Sequence, residues 1–238
     1  MQLLVRGVLL VGLLGMLMSC HGRTPPLGVM RAFDPLGALG GAETSGSSGN
    51  IATAENEVVA LMETSLKEMS SSQAIMLLAL GLIEESSIAE NNAKDLSAGA
   101  LTGQDAMEKK IISSKALNDK ISEAMAQKVA LNDEAKEQLG NALPPYARGV
   151  IAGVLGGIKA TAIVKKVVAN PLGVAIDAAI SVVANPLELQ QFTTLVYIAK
   201  EAPAMIYNFI STTKTIMDYA TYQGVDASPL ADAAKSGL

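Results

Sequence analysis

The chain has 238 residues, of which half are hydrophobic and only 3% are aromatic. Its 23 acidic and 18 basic residues give a net charge of −5, which excludes the basic footprint that nucleic-acid binding requires. The single cysteine and single histidine exclude an internal disulfide and a Cys/His metal set, so stability has to come from packing.

The N-terminus has the pattern of a bacterial export signal. Arg6 is followed by an uninterrupted apolar segment, 7–18, which is too short to cross a bilayer because a span needs about 20 apolar residues. The sequence Leu17-Met18-Ser19-Cys20 then resembles the lipobox of bacterial lipoproteins. This resemblance implies a signal peptide over residues 1–19, with cleavage before Cys20.

In that class of protein the cysteine sulfur carries a diacylglycerol and the freed amine is acylated, for example with palmitate. The resemblance implies that Cys20 is lipidated and anchors the chain to a membrane. His21 stands where an Asp would favour the inner membrane, so the implied location is the outer membrane of the cell envelope, facing the periplasm or the exterior. The alternative is an ordinary secretory signal, for which the sequence offers only poor cleavage sites.

Residues 20–52 predict a disordered, flexible tether. Prolines, glycines and the polar cluster Ser45–Asn50 interrupt every helical or strand period. A small apolar patch in this stretch has an alternative interpretation as a docking segment for the folded part or for lipid. That patch comprises Leu27, Val29, Met30, Phe33, Leu36 and Leu39.

Residues 53–238 predict an all-α domain, a bundle of six to eight helices, because helix formers abound and strand alternation is nearly missing. An apolar face at helical spacing begins near Thr53. The polar run Ser70–Ser72 is predicted to separate this helix from a buried core helix over 74–83. The first apolar face comprises Val58, Leu61, Met62, Ser65, Leu66 and Met69.

The polar segment 91–103 predicts a connection, and Thr102 with Asp105 resembles a capping box for the next helix. Asn132 is predicted to cap a short helix that Pro144-Pro145 ends. The long helix between them should have one apolar side, formed by Met107, Ile111, Leu117, Ile121, Met125 and Val129.

Residues 146–186 are the most apolar part of the domain and predict a Gly-rich helical hairpin. Glycines four residues apart in its first half allow close helix approach. Its second half, Pro171 to Val183, lies between two Val-Val-Ala-Asn-Pro-Leu repeats whose Asn-Pro pairs predict helix starts. The hairpin either packs inside the domain or dips into a bilayer with its basic residues at the headgroups. Those basic residues are Arg148, Lys159 and Lys166.

Six of the eight aromatic residues lie between positions 188 and 222. They are the best candidate for a small-molecule pocket, with core packing as the alternative. Pro203 predicts a restart or kink in this helix, Gly224 its end, and Ser228-Pro229 a last short helix. The aromatic residues are Phe192, Tyr197, Tyr207, Phe209, Tyr219 and Tyr222.

No catalytic, cofactor-binding or metal-ligating residue is predicted, so the chain is not expected to be an enzyme. The adjacent pair Glu84-Glu85 diverges on a helix and is interpreted as solvated. An unusual hydrolase is a weaker alternative, for which Lys159, Lys165 and Asp177 are the residues to inspect. Asp177 is interpreted as part of the exposed stripe of its helix, and the alternative is a buried carboxylate with a raised pKa.

The sequence therefore predicts a membrane-anchored, non-catalytic helical lipoprotein. It would act as an interaction or structural module with a protein partner in the cell envelope. The alternative is a lipid-binding or membrane-perturbing protein that uses the apolar hairpin 146–186 and takes a lipid ligand.

Replacing the lipobox cysteine tests the anchor directly. Cys20→Ala should abolish labelling of the protein by a radioactive or clickable fatty acid, because the cysteine is the site of acylation in that class. The control Ser19→Ala keeps a small residue before the cysteine and should be labelled normally. Fatty-acid labelling of Cys20→Ala at the wild-type level would contradict the anchor.

Overall fold

The computed structural model describes residues 47–99, 103–169 and 186–235, and over these ranges the chain is an all-α bundle without strands. The predicted fold class is confirmed. The predicted signal peptide, Cys20 and the predicted helix Pro171–Val183 lie outside the described residues. The elements are α1 (Ser47–Ala79), α2 (Ile83–Ser97), α3 (Gln104–Ala126), α4 (Asp133–Ala169), α5 (Pro186–Gln223), a 3₁₀ turn (Ser228–Leu230) and α6 (Ala231–Lys235).

The α4 helix is the centre of the bundle and contacts α1, α5 and the C-terminal turn. Thirteen of its residues are buried, including Tyr146 and Val150. By length and hydropathy α4 could cross a membrane, and half of its most apolar window is buried inside the bundle. The core helix of a bundle meets the same criteria, so this property alone assigns no membrane role.

Glycines allow α1 and α5 to approach α4 closely. A Cβ atom at Gly149 would lie 2.5 Å from Met69 Cγ and 3.0 Å from the backbone oxygen of Ser65, both on α1. A Cβ atom at Gly153 would lie 2.6 Å from Phe209 Cε2 on α5. The predicted role of these glycines in close helix packing is confirmed, and the contacts are made within the bundle.

The predicted break at Ser70–Ser72 is wrong, because α1 continues through it to Ala79. Ser70 and Ser72 are buried, and the Ser72 hydroxyl donates a 2.6 Å hydrogen bond to the Ala142 carbonyl of α4. The serines are therefore small polar residues at a helix contact. Their weak helix propensity is outweighed by tertiary packing.

The predicted end at Pro144-Pro145 is also wrong, because α4 runs through both prolines. A proline inside a helix costs about 3 kcal/mol. Pro144 is exposed, and the residues on either side of the pair, Leu143 and Tyr146, are completely buried. Burying such side chains contributes about 1.5–3 kcal/mol each, which offsets part of the cost of the two prolines.

The connection predicted over 91–103 is wrong for its first half, because α2 continues to Ser97. The polar residues there belong to a largely exposed helix. One of them contacts α3, where the Asn92 amide donates a 2.8 Å hydrogen bond to the Ser113 hydroxyl. Thr102 lies outside the described residues, and Gly103 is the residue before α3. Composition alone does not distinguish an exposed helix from a loop.

Predictions from apolar spacing and local capping agree better with the structure. The predicted apolar side of α3 is buried from Met107 to Met125, whereas Val129 lies beyond the helix and is 61% exposed. The Asn132 side chain accepts a 2.8 Å hydrogen bond from the Ala135 N–H, which confirms the predicted cap. The predicted end of α5 at Gly224 is confirmed, and the φ of this glycine is +74°. A restart of the helix at Pro203 is wrong, because α5 continues through this proline.

The glycine contacts predict opposite effects for two Gly→Ala substitutions in α4. Gly149→Ala should lower the free energy of unfolding by about 1–3 kcal/mol, because the new methyl group overlaps α1. Gly140→Ala is the matched control, since its Cβ atom would meet only Val225 Cγ1, at 3.5 Å. It should raise stability by up to about 1 kcal/mol through helix propensity. Urea denaturation measures both, and equal effects would contradict this packing.

Candidate functional site

A concave surface lies between α1 and α2, which we call the α1–α2 groove. Its volume is about 680 Å³. The α1 wall is contributed by one side of the last two turns of that helix, and the α2 wall by a row of mostly small side chains. The lining residues are Ser71, Ala74, Ile75, Leu78, Ser86, Glu90, Ala93, Lys94, Ser97 and Ala98.

Most polar groups of the groove already have partners within the protein. The Ser86 hydroxyl donates a 2.8 Å hydrogen bond to the Ala74 carbonyl, and the Ser97 hydroxyl donates one of 2.8 Å to the Ala93 carbonyl. Lys94 and Glu90 form an exposed 2.7 Å ion pair one helical turn apart. The groove therefore offers mainly apolar surface to a ligand.

Leu78 gives this surface a large exposed side chain. Its side chain is 49% exposed, whereas the next residue on the same side of α1, Ile75, is partly buried against the core. Single exposed leucines are common on protein surfaces. Leu78 differs because it lies at a concave, mostly apolar site, the kind of surface that binds apolar ligands or helices.

The outer wall of the groove is held in place by polar contacts to α3. The Lys110 ammonium donates a 2.8 Å hydrogen bond to Asn92 Oδ1 and one of 2.7 Å to Asp95 Oδ2, both on α2. The Lys110 side chain is only 16% exposed. Charge-assisted hydrogen bonds of this kind are among the stronger polar contacts in proteins.

The inner wall is positioned by a buried hydrogen-bond network. Gln73, beside Ala74 of the groove, donates a 2.8 Å hydrogen bond to Asn118 Oδ1 on α3. The Tyr146 hydroxyl of α4 donates a 3.2 Å hydrogen bond to the same oxygen. Asn118 Nδ2 donates a 3.0 Å hydrogen bond to Asn208 Oδ1 of α5. Gln73, Asn118 and Tyr146 are completely buried. The network thus fixes the rotation of α1 relative to three other helices.

The network holds a neutral phenol. Burial raises the pKa of Tyr146 far above its usual range, and hydrogen bonds with Thr212, Asn118 and Thr213 offset part of this shift. Burial also raises the pKa of Tyr197 to about 12, with the nearby carboxylates of Glu108 and Glu201 adding to the effect. Neither tyrosine is poised to give up a proton near neutral pH.

The aromatic residues predicted as a pocket do not line the groove. Phe209 and Tyr219 are buried in the core, whereas Tyr207 and Tyr222 are 76% and 56% exposed. Tyr219 and Tyr222 are neighbours, with ring centroids 6.5 Å apart. Among the described residues these aromatics therefore contribute to packing and to separate surface positions.

The basic residues of the predicted hairpin are partly neutralised by α1. Arg148 pairs with Glu68 at 2.9 Å, and Lys159 pairs with Glu57. Lys165 is exposed, and Asp177, the third residue named for hydrolase chemistry, lies outside the described residues. Lys159 is thus held in an ion pair, which gives no sign of a catalytic lysine.

The remaining candidate groups are not brought together. Glu84 is exposed and Glu85 is half-buried at the start of α2. Within the described ranges, no three His, Cys, Asp or Glu side chains are placed to hold a metal ion. Cys20 and His21 are outside those ranges.

Sequence reasoning missed the α1–α2 groove. Its lining is rich in Ala and Ser, which carry no chemical signature, and it was hidden by the predicted break in α1. The usable signal was the uncharged stretch 74–83 with Leu78 at its centre, followed by small residues at every third or fourth position of α2.

Comparison with protein-family models, with curated proteins and with solved structures gives no match to this chain.

The buried phenol predicts a specific alkaline destabilisation. The pKa of Tyr146 in the folded state lies above its unfolded value of 10.0. Its stability contribution is therefore complete below pH 10 and is lost above it, at up to about 1.4 kcal/mol per pH unit. Tyr146→Phe should cost about 1–3 kcal/mol at pH 7, because it removes the buried hydroxyl and leaves its partners unpaired. The free energy of unfolding of this variant should decline less steeply above pH 10.

Urea unfolding at pH 7 and at steps from pH 9 to 11.5 checks this prediction. Tyr197 and Tyr219 also have raised pKa values, through burial first of all. The variant therefore keeps part of the alkaline decline. Parallel pH profiles for Tyr146→Phe and wild type would show that this phenol is not held neutral by the fold.

Proposed function

We propose that this protein is a lipid-anchored, non-catalytic interaction module of the cell envelope that binds its partner through the α1–α2 groove. One observation carries the proposal: the groove combines an exposed Leu78 with polar groups that are bonded within the protein. A surface of this kind recognises shape and apolar area and lacks a nucleophile paired with a base. The partner would be a protein that presents an apolar surface.

The anchor rests on the lipobox sequence alone. The α1 helix begins at Ser47, inside the predicted tether. Cys20 would carry the acyl chains and residues 20–46 would connect them to the bundle. A tether of this length reaches on the order of 100 Å when fully extended and much less on average. The module would therefore stay within a limited distance of the membrane, which favours a partner in the same envelope compartment.

Four contacts of α4 favour this proposal over the membrane-perturbing alternative. The space next to Gly149 and Gly153 is occupied by atoms of α1 and α5, so this surface of α4 is already in contact with other helices. Arg148 and Lys159 are paired with acidic residues of α1, which reduces their attraction to anionic headgroups. Insertion of this helix into lipid would have to break these contacts first.

Site-specific photocrosslinking in living cells tests the proposal. Leu78→p-benzoylphenylalanine should give a discrete protein adduct after irradiation, because the probe sits in the groove. Ile158→p-benzoylphenylalanine is the matched control, since Ile158 of α4 is 53% exposed and lies outside the groove. The adduct should disappear when the groove is made polar by Ala93→Glu.

The pattern of adducts distinguishes the alternatives. Protein adducts of equal yield at both positions would contradict the groove as the binding surface. Adducts with phospholipid instead of protein at position 78 would support the lipid-binding alternative. In that case the purified chain made without residues 1–20 should also bind phospholipid vesicles, whereas an interaction module without its anchor should not.

A further inference from the structure

The α2 helix is bounded by glycine turns on both sides. Gly81 precedes it with φ +78°, and Gly99 follows it with φ +76°. Positive φ values are adopted readily by glycine and rarely by other residues. Such positions absorb backbone rotation at low cost and are found at hinges.

The α2 helix is also weakly embedded in the core. Ala89 is its one completely buried side chain, whereas α3 buries seven residues and α4 thirteen. Leu82 and Leu96, at the two ends of the helix, are only partly buried. Helices with few buried apolar side chains open at lower free energy than the elements of the core.

The α2 helix packs along α1 and touches α3 only slightly, so its attachment to α3 depends on polar contacts. Three hydrogen bonds reach α3, where Lys110 binds Asn92 and Asp95 while Asn92 binds Ser113. On the α1 side, the Ser86 hydroxyl donates a hydrogen bond to the Ala74 carbonyl. Lys110 is the residue that joins two positions of α2 at once.

We propose that α2 is a hinged arm that swings on Gly81 and Gly99 while the rest of the bundle stays folded, with Lys110 as its latch. Opening breaks the Lys110 contacts and the Ser86 hydrogen bond. It widens the α1–α2 groove and exposes the face of α1 that carries Ala74, Ile75 and Leu78. This movement goes beyond the proposed function, because it requires no partner and no membrane anchor.

Native-state hydrogen exchange on the purified full chain tests the arm. Amides of 83–97 should exchange through a local opening with a weak urea dependence, and those of α4 through global unfolding with a strong one. Lys110→Met should accelerate exchange in 83–97 about tenfold, as expected for losing a charged hydrogen bond, while the urea dependence there stays weak. Because the globally unfolded chain also lacks the Lys110 contacts, exchange in α4 should accelerate by a similar factor and keep its strong urea dependence. Lys120→Met, which removes an exposed Lys120–Glu123 pair on the same helix, should accelerate neither.

Thiol labelling provides a second measurement that does not depend on peptide coverage. In the full chain carrying Cys20→Ser, Ala89→Cys places the only thiol on the buried side of α2, and Ala220→Cys places it in the buried core of α5. Ala89→Cys should be labelled much faster than Ala220→Cys, and Lys110→Met should accelerate the labelling of Ala89→Cys. Equal labelling rates at the two positions, or no acceleration of Ala89→Cys labelling by Lys110→Met, would overturn the hinged arm.

Discussion

The side-chain amide of Asn118 is the point at which the four long helices meet. It accepts hydrogen bonds from Gln73 of α1 and Tyr146 of α4, and donates one to Asn208 of α5. An unpaired amide at this depth would cost about 1–3 kcal/mol, so alternative rotations of the helices that break the network are disfavoured. The network selects one arrangement among the many that an Ala- and Leu-rich bundle could adopt.

The network satisfies its members unequally. Gln73 Nε2 lies within hydrogen-bond distance of three acceptors, including Ser114 O at 2.9 Å, whereas Gln73 Oε1 is buried without a partner in the described structure. An amide nitrogen has only two protons, so one of the three contacts is weaker than the others. Specificity is thus obtained with some loss of stability. The orientation of Gln73 matters because its neighbour Ala74 belongs to the α1 wall of the groove.

The sequence contained the apolar faces of the helices but not the points where helices end. The buried side of α3 and the Asn132 cap were predictable, because each depends on spacing within one helix. Ser72 and the pair Pro144-Pro145 misled, because each has low helix propensity and is held by tertiary contacts that a single helix does not reveal. The groove was hidden for the same reason, since it exists only where α1 continues past Ser72.

The bundle divides into a rigid centre and a lightly attached edge, and this division connects the fold to its proposed use. Around α4, glycines such as Gly149 and the Asn118 network leave no room for adjustment, because a methyl group or a small rotation already produces overlap. At α2 only Ala89 is completely buried, and the attachment to α3 depends on polar contacts. A binding surface that must fit a partner's apolar side chains needs freedom to adapt, and only the edge can provide it without disturbing the core. The central network fixes one wall of the groove, and the movable α2 forms the other.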